Sequence, residues 1–127
     1  MTDPIADLLT RIRNAEMASH EACTVPHSIM KESIVVILKK HKFIENFKVE
    51  EKEGKKNILI TLVTKKTFKT NYKRISKPGQ RIYKQAAEIK RVKSGLGIAV
   101  YSTPKGVIDN YMAHKENVGG ELLCEIW

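Results

Sequence analysis

The chain has 127 residues, 23 of them Lys or Arg and 14 Asp or Glu, giving a net charge of +9. That length fits one folding unit or two small lobes sharing a core, and a hydrophobic share of 42% excludes a disordered chain. The longest uninterrupted apolar run, residues 34–38, is five residues long, against the roughly 20 that a membrane span requires.

Asp3 is placed to cap a first helix, and Pro4 suits the first helical position, where its missing N–H costs nothing. Ile5, Leu8, Leu9, Ile12 and Ala15 recur at helical spacing as one apolar stripe, with Asp7, Arg11 and Asn14 on the other side. The pattern fades near Ser19. Thr24 and Val25 read as a short strand before Pro26. Ser28 is a cap for a second helix whose inner face is Met30, Ile34, Ile37, Leu38 and His41. Lys39, Lys40 and Lys42 crowd its C-terminal end, where the helix dipole favours cations. The period then shortens to two. Phe47 and Val49, then Ile58, Ile60 and Leu62, flank a polar turn in which Gly54 is free to take a positive φ, which predicts a hairpin.

Residues 64–71 have neither period and read as a linker. Arg74, Ile75 and Ser76 predict a strand, stopped by the turn at Pro78 and Gly79. Residues 83–92 predict a helix, broken by Gly95 and Gly97. Residues 98–102 predict an apolar strand, residues 103–106 a turn, and Asp109 a cap for a brief helix reaching His114. Gly119 and Gly120 open a last strand over 121–127. The expected fold is α+β in two small packed lobes with mostly antiparallel pairing. An N-terminal helix–strand–helix–hairpin α/β lobe covers 1–64, and a basic C-terminal lobe of mixed helix and antiparallel strands covers 65–127.

Charge is divided unevenly between these lobes. Residues 1–64 carry 10 Lys+Arg and 9 Asp+Glu, whereas residues 65–127 carry 13 and 5. Between positions 65 and 93 stand eleven basic residues and a single acid, Glu88. So directed an excess points first to nucleic acid and second to an anionic membrane surface. Lys69, Tyr72, Lys73, Arg74, Ser76, Lys77, Arg81, Tyr83 and Lys84 alternate cations with hydroxyls and rings. Cations neutralise phosphates, and hydroxyls donate to phosphate or ribose oxygens. This chemistry suits RNA well but does not by itself separate RNA from DNA.

No catalytic constellation stands beside that signal. His20, Cys23 and His27 have the spacing of a zinc-site fragment but lack a fourth local ligand. Ser28 and Lys31 have the S-x-x-K spacing of serine acyl enzymes without the companion motifs. Gly95 and Gly97 lack the third glycine of a dinucleotide fingerprint and precede a strand instead of following one. Two distant cysteines, Cys23 and Cys124, make no disulfide framework and fit a reducing compartment. Asp3 and Pro4 stand where a secretory leader would place its charged and apolar regions, so none is expected. The expectation is a protein that is not an enzyme, with no cofactor, no metal, no membrane and no small-molecule substrate.

Four longer blocks carry a resemblance: D-P-I-A-D-L-L-T-R-I-R-N-A at 3–15, K-R-I-S-K-P-G-Q-R-I-Y at 73–83, G-L-G-I-A-V-Y-S-T-P-K-G-V at 95–107 and G-G-E-L-L-C-E-I-W at 119–127, with P-H-S-I-M-K at 26–31. Together they resemble the bacterial-type small-subunit ribosomal protein eight family over essentially the whole chain. The resemblance implies a cytoplasmic protein of the small ribosomal subunit that binds the central domain of small-subunit ribosomal RNA. It also implies neighbouring ribosomal proteins as partners and, in many bacteria, repression of the protein's own operon through a messenger RNA that mimics the ribosomal site. A translational repressor acting mainly on that messenger, or a general basic nucleic-acid binder, is the alternative reading.

The family's central RNA contact is an S-T-x-x-G loop, here Ser102, Thr103, Pro104, Lys105 and Gly106. Many members carry a second serine where this chain has Pro104, so one hydroxyl and one N–H are lost here. Gly119, Gly120 and Glu121 lie beside that loop in the family. Glu121 either accepts from a base amine, holds a neighbouring lysine, or serves only the strand start. Lys73, Arg74, Ser76, Lys77, Arg81 and Tyr83 match the family's basic block, which places Tyr83 at the RNA surface. Asp3, Pro4, Thr10, Arg11, Arg13 and Asn14 match a second RNA-facing segment, and Lys31 matches the lysine near the second helix start. Their alternative is a helix cap and an ordinary polar face.

Overall fold

A computed structural model of the chain describes residues 3–64 and 69–127. Of the linker expected at 64–71, residues 65–68 lie outside the described residues. Two compact units divide the chain: Asp7–Thr70, and Met1–Ala6 together with Asn71–Trp127. The first residues, expected with the 1–64 lobe, therefore group with the C-terminal unit. Among the described residues, no helix is long and apolar enough to cross a membrane.

Helix α1 (Pro4–Met17) begins where the Asp3 carboxylate accepts from the Ala6 amide at 3.2 Å. In the Asp7–Thr70 unit its stripe of Leu8, Leu9, Ile12 and Ala15 is buried. Strand β1 (Ala22–Pro26) leads to α2 (Ile29–Lys40), whose Ser28 cap accepts from the Lys31 amide at 3.1 Å. Ile34, Val35, Ile37 and Leu38 form the buried face of α2, while Met30 and His41 are only half-buried. His41 sits at the C-cap, so its position on the inner face was expected one turn too far along the helix.

Strands β2 (Asn46–Lys52) and β3 (Lys55–Thr61) make the hairpin. Its turn has two consecutive positive-φ residues, Glu53 at 54° and Gly54 at 77°, the backbone twist that matches antiparallel strands. The sheet order is β1-β3-β2. In the central β3, Ile58 and Ile60 are fully buried and alternate with half-buried Leu59, followed by buried Leu62. Each such side chain contributes about 1.5–3 kcal/mol on leaving water. The outer strand β2 is exposed and charged, which blunts its free edge.

The second unit is built on β8 (Gly120–Ile126). Strands β4 (Tyr72–Arg74) and β5 (Tyr83–Lys84) both pair with β8. On the opposite edge β8 pairs with β6 (Ile98–Thr103), which pairs in turn with β7 (Gly106–Asp109). The expected strand at Arg74–Ser76 is shifted, yet Ile75 and Ser76 still donate to the carbonyls of Leu123 and Leu122. Strand β7 was not expected. Helix α3 (Asn110–Glu116) follows it, capped by Asp109, which accepts from the Met112 amide at 2.8 Å. Ala99, Tyr101 and Leu122 on one face of the sheet pack with Ile89, Val92 and Ala113 in a buried cluster.

The helix expected over 83–92 does not form. Tyr83 and Lys84 are in a strand, Ala86–Glu88 is a single 3-10 turn, and Ile89 has extended backbone at φ −75° and ψ 121°. Tertiary pairing overrides local propensity here. A helix this short is marginal alone, and forming it would forfeit the ladder to β8. The Glu88 carboxylate instead accepts from the Gln85 amide at 2.8 Å, and the extended path lets both Ile89 and Val92 reach the core.

Two glycines allow this arrangement. A Cβ on Gly120 would stand 2.2 Å from the Ser102 carbonyl oxygen, and one on Gly119 would stand 2.4 Å from that of Lys84. Around Gly79 nothing lies within 4 Å. Urea unfolding should therefore show Gly120→Ala losing about 3 kcal/mol or more, since backbone must move. Gly79→Ala should stay within about 0.5 kcal/mol of wild type. Equal losses in the two variants would contradict the packing role of Gly120.

Candidate nucleic-acid interface

The ladder of the C-terminal unit brings together segments far apart in sequence. Ser102 of β6 lies opposite Glu121 of β8, and Glu121 lies opposite Tyr83 of β5. Directly opposed residues share a face of a sheet, so Tyr83, Glu121 and Ser102 form one row across three strands. Tyr83 is 66% exposed, and the Ser102 hydroxyl has no hydrogen bond among the described residues. At the end of that row the β6–β7 turn carries Pro104, Lys105 and Gly106, all exposed. Gly106 has φ +107°, a conformation that strongly favours glycine. The Thr103 hydroxyl donates to the Gly106 carbonyl at 2.9 Å and accepts from the Lys105 amide at 3.1 Å. Thr103 thus shapes the turn, and its neighbour Ser102 is the available hydroxyl. Pro104 needs no amide partner in this turn.

Beside the row, Tyr83, Lys84, Gln85, Gly119 and Gly120 line an open groove of about 590 Å³. Gln85 is new to the site, and Lys84, expected only as one cation of the basic stretch, is placed beside the row. The pairing of Lys84 with Gly120 is what places them there; for Gln85, closeness to Tyr83 is the only linear signal.

Glu121 is the acid of the row, and its role is internal. Its Oε2 accepts from the Ser76 hydroxyl and from Arg81 Nη1 at 3.0 Å. Burial pushes its pKa up, but the Ser76 and Arg81 hydrogen bonds and the charges of Arg81 and Arg74 outweigh this and hold the carboxyl below its ordinary value. The neighbouring cation it holds is an arginine, where a lysine was expected. Ser76 is fully buried, and its oxygen also accepts from the Ile82 amide at 3.1 Å. It is therefore not a surface hydroxyl; it fixes Glu121, which presents the half-exposed Arg81 guanidinium.

Several other expected contacts are committed within the protein. Arg74 Nε donates to Asp3 Oδ2 at 3.1 Å, its Nη1 donates to the Leu123 carbonyl, and its side chain is only 9% exposed. Asp3 serves at once as that partner and as the cap of α1. Lys73 and Lys77 remain exposed. Lys105 reaches Glu116 at 3.1 Å, a pair exposed on both sides and worth little in water.

Apart from Pro4, the remaining expected residues belong to the Asp7–Thr70 unit. Thr10, Arg13 and Asn14 are exposed on α1, whose first residue, Pro4, is also exposed. Arg11 pairs with Asp7 at 3.0 Å and donates to the Thr24 carbonyl at 3.3 Å. Lys31 is buried, and its Nζ donates to the Pro26 carbonyl at 3.2 Å, so it is a structural lysine. Among the described residues no three His, Cys, Asp or Glu side chains are grouped to hold a metal. His27 instead sits 2.7 Å from Glu32.

A depressed carboxylate pKa adds stability that is complete above the unfolded value, about 4.3 for glutamate, and is lost as pH falls through the folded value. Wild type should therefore exceed Glu121→Gln in stability at pH 7, with the gap closing towards pH 3 in denaturant titrations. Ser76→Ala should cost about 1–3 kcal/mol at pH 7, because both the Ile82 amide and the Glu121 carboxylate lose a partner. A gap that does not change with pH would contradict the role given to Glu121.

Comparison with known proteins places the chain in a family. The family model for ribosomal protein S8 matches residues 3–127. The chain is 50% identical over 127 residues to the small ribosomal subunit protein uS8 of Nitratidesulfovibrio vulgaris, covering 100% of this chain and 99% of that one. It is 51% identical over 129 residues to uS8 of Desulfovibrio desulfuricans, with the same coverage. For uS8 of Roseiflexus castenholzii the identity is 48% over 130 residues, covering 100% of this chain and 98% of the relative. The match of the whole chain to both the family model and these relatives shows that it belongs to the ribosomal protein S8 family.

Proposed function

We propose that this protein is a constituent of the small ribosomal subunit that binds the central domain of small-subunit ribosomal RNA directly and supports its folding, without catalysis. The observation that carries the reading is the Tyr83–Glu121–Ser102 row ending in the tight 103–106 turn. It joins an exposed ring, an available hydroxyl and a close-approach glycine on one rigid sheet. Flat rings stack on unpaired bases, and hydroxyls reach ribose or base edges. Lys73, Lys77 and Arg81 supply the attraction to phosphate without sequence information. RNA with an irregular, partly unpaired helix fits such a surface better than plain duplex. An operon messenger RNA presenting the same irregular helix is a second ligand of this one surface, and neighbouring ribosomal proteins are its other partners.

Affinity for a bulged central-domain RNA fragment, measured against a plain duplex of equal length across a salt series, tests this. Tyr83→Ala should lose about 1–3 kcal/mol for the bulged fragment only. Ser102→Ala should reduce the preference for the bulge while leaving the salt slope unchanged. Lys77→Ala should weaken both RNAs alike and lower the slope by about one. Equal affinity for both RNAs in wild type would refute the reading.

A further inference from the structure

A second basic surface lies outside this row. Lys90, Arg91, Tyr111 and His114 line a groove of about 300 Å³ floored by Ile89 and Asn110. The groove is held rigidly from beneath. Asn110 is 3% exposed; its Oδ1 accepts from the Ala99 amide at 3.0 Å and its Nδ2 donates to the Lys90 carbonyl at 3.5 Å. Ile89 is in the core, and the Tyr111 hydroxyl donates to the Gly95 carbonyl at 3.4 Å. Lys90, Arg91 and His114 are exposed, and no carboxylate lines the groove. The acids next to these segments in the chain are engaged elsewhere: Glu88 accepts from the Gln85 amide, Asp109 from the Met112 amide, and Glu116 pairs with Lys105. Neither lysine nor arginine of the groove has an ion-pair partner among the described residues.

Position sets this groove apart. Strand alternation puts Tyr101 and Leu122 on the sheet face opposite Ser102 and Glu121. Tyr101 and Leu122 pack beneath Ile89 and Ala113, the same segments that carry the groove on their outer side. The groove therefore opens away from the Tyr83–Glu121–Ser102 row.

We propose that the Lys90–Arg91–His114 groove is a second phosphodiester-binding site, so that the protein clamps two separate RNA segments on opposite sides of one sheet. Cations in a groove lined by no carboxylate, on a fixed backbone, suit a polyanion, and the Tyr111 ring beside them gives a sugar an apolar surface. The proposal rests on the RNA-binding reading above for the identity of its ligand. An acidic protein segment is the competing occupant.

The full-length protein is first saturated with the bulged fragment, and then titrated with a fluorescent 12-base-pair RNA duplex, or with a fluorescent oligoglutamate. Wild type should take up the duplex as a second ligand. Lys90→Ala/Arg91→Ala should bind it about tenfold more weakly, with a salt slope lower by about two, and keep its affinity for the bulged fragment. Lys55→Ala/Lys56→Ala, with the same loss of charge on the exposed hairpin turn, should match wild type. Equal weakening by both double variants overturns the site, as does loss of the bulged fragment along with the duplex. Uptake of oligoglutamate but not duplex, sensitive to Lys90 and Arg91, overturns RNA in favour of a protein partner. If wild type shows no preference for the bulge, the RNA reading of the Ser102 row fails by itself. Duplex binding by the free protein, weakened by Lys90→Ala/Arg91→Ala alone, would still uphold the groove.

Discussion

Everything in the C-terminal unit depends on how closely three backbones approach at Gly119 and Gly120. A Cβ at either position would overlap a carbonyl oxygen, of Lys84 in one case and Ser102 in the other. Without side chains, β8 can enter between β5 and β6 and pair with both. That pairing holds Tyr83 in a strand and sets Ser102 beside Glu121. The candidate contact surface, assembled from three distant segments, is thus positioned by main-chain hydrogen bonds, which are stiffer than any loop.

The second constraint is a buried polar network in a basic lobe. Glu121 accepts from Ser76 and Arg81, Ser76 accepts from the Ile82 amide, and Arg74 is neutralised by Asp3. Burying a carboxylate is costly unless its oxygens are satisfied, and among the described residues no buried side-chain polar atom lacks a partner. A fully satisfied network of this kind specifies one arrangement more sharply than apolar packing does. It also gives an acid a place on the surface proposed to bind RNA. Glu121 restrains Arg81 at a defined place, so the cation is presented with less freedom to lose on binding.

Charge in this chain accordingly has two uses. Arg74 and Lys31 are structural, their heads spent on a carboxylate or a carbonyl inside the fold. Lys73, Lys77, Lys90 and Arg91 keep theirs in water. The two kinds are indistinguishable in a charge count, and only the second can release counterions from a nucleic acid.

Much of the fold was legible from the chain alone. The stripe at Leu8 and Ile12, the caps at Asp3, Ser28 and Asp109, and the alternation at Ile58, Ile60 and Leu62 are local signals, and the structure has each of them. The 95–107 and 119–127 blocks marked segments that pair through β6 and β8. What the chain did not reveal depends on pairing between remote residues. Residues 83–92 contain good helix formers, yet Lys84 is held extended by Gly120, some 35 positions away. Ser76 and Lys31 look like surface polar groups until strands and helices close over them. Side-chain chemistry and short-range periodicity determine which elements can form and where charge is concentrated. Which cations stay free, which serine keeps an unpaired hydroxyl and which residues share a face follow from long-range register, and register is decided only when the strands come together.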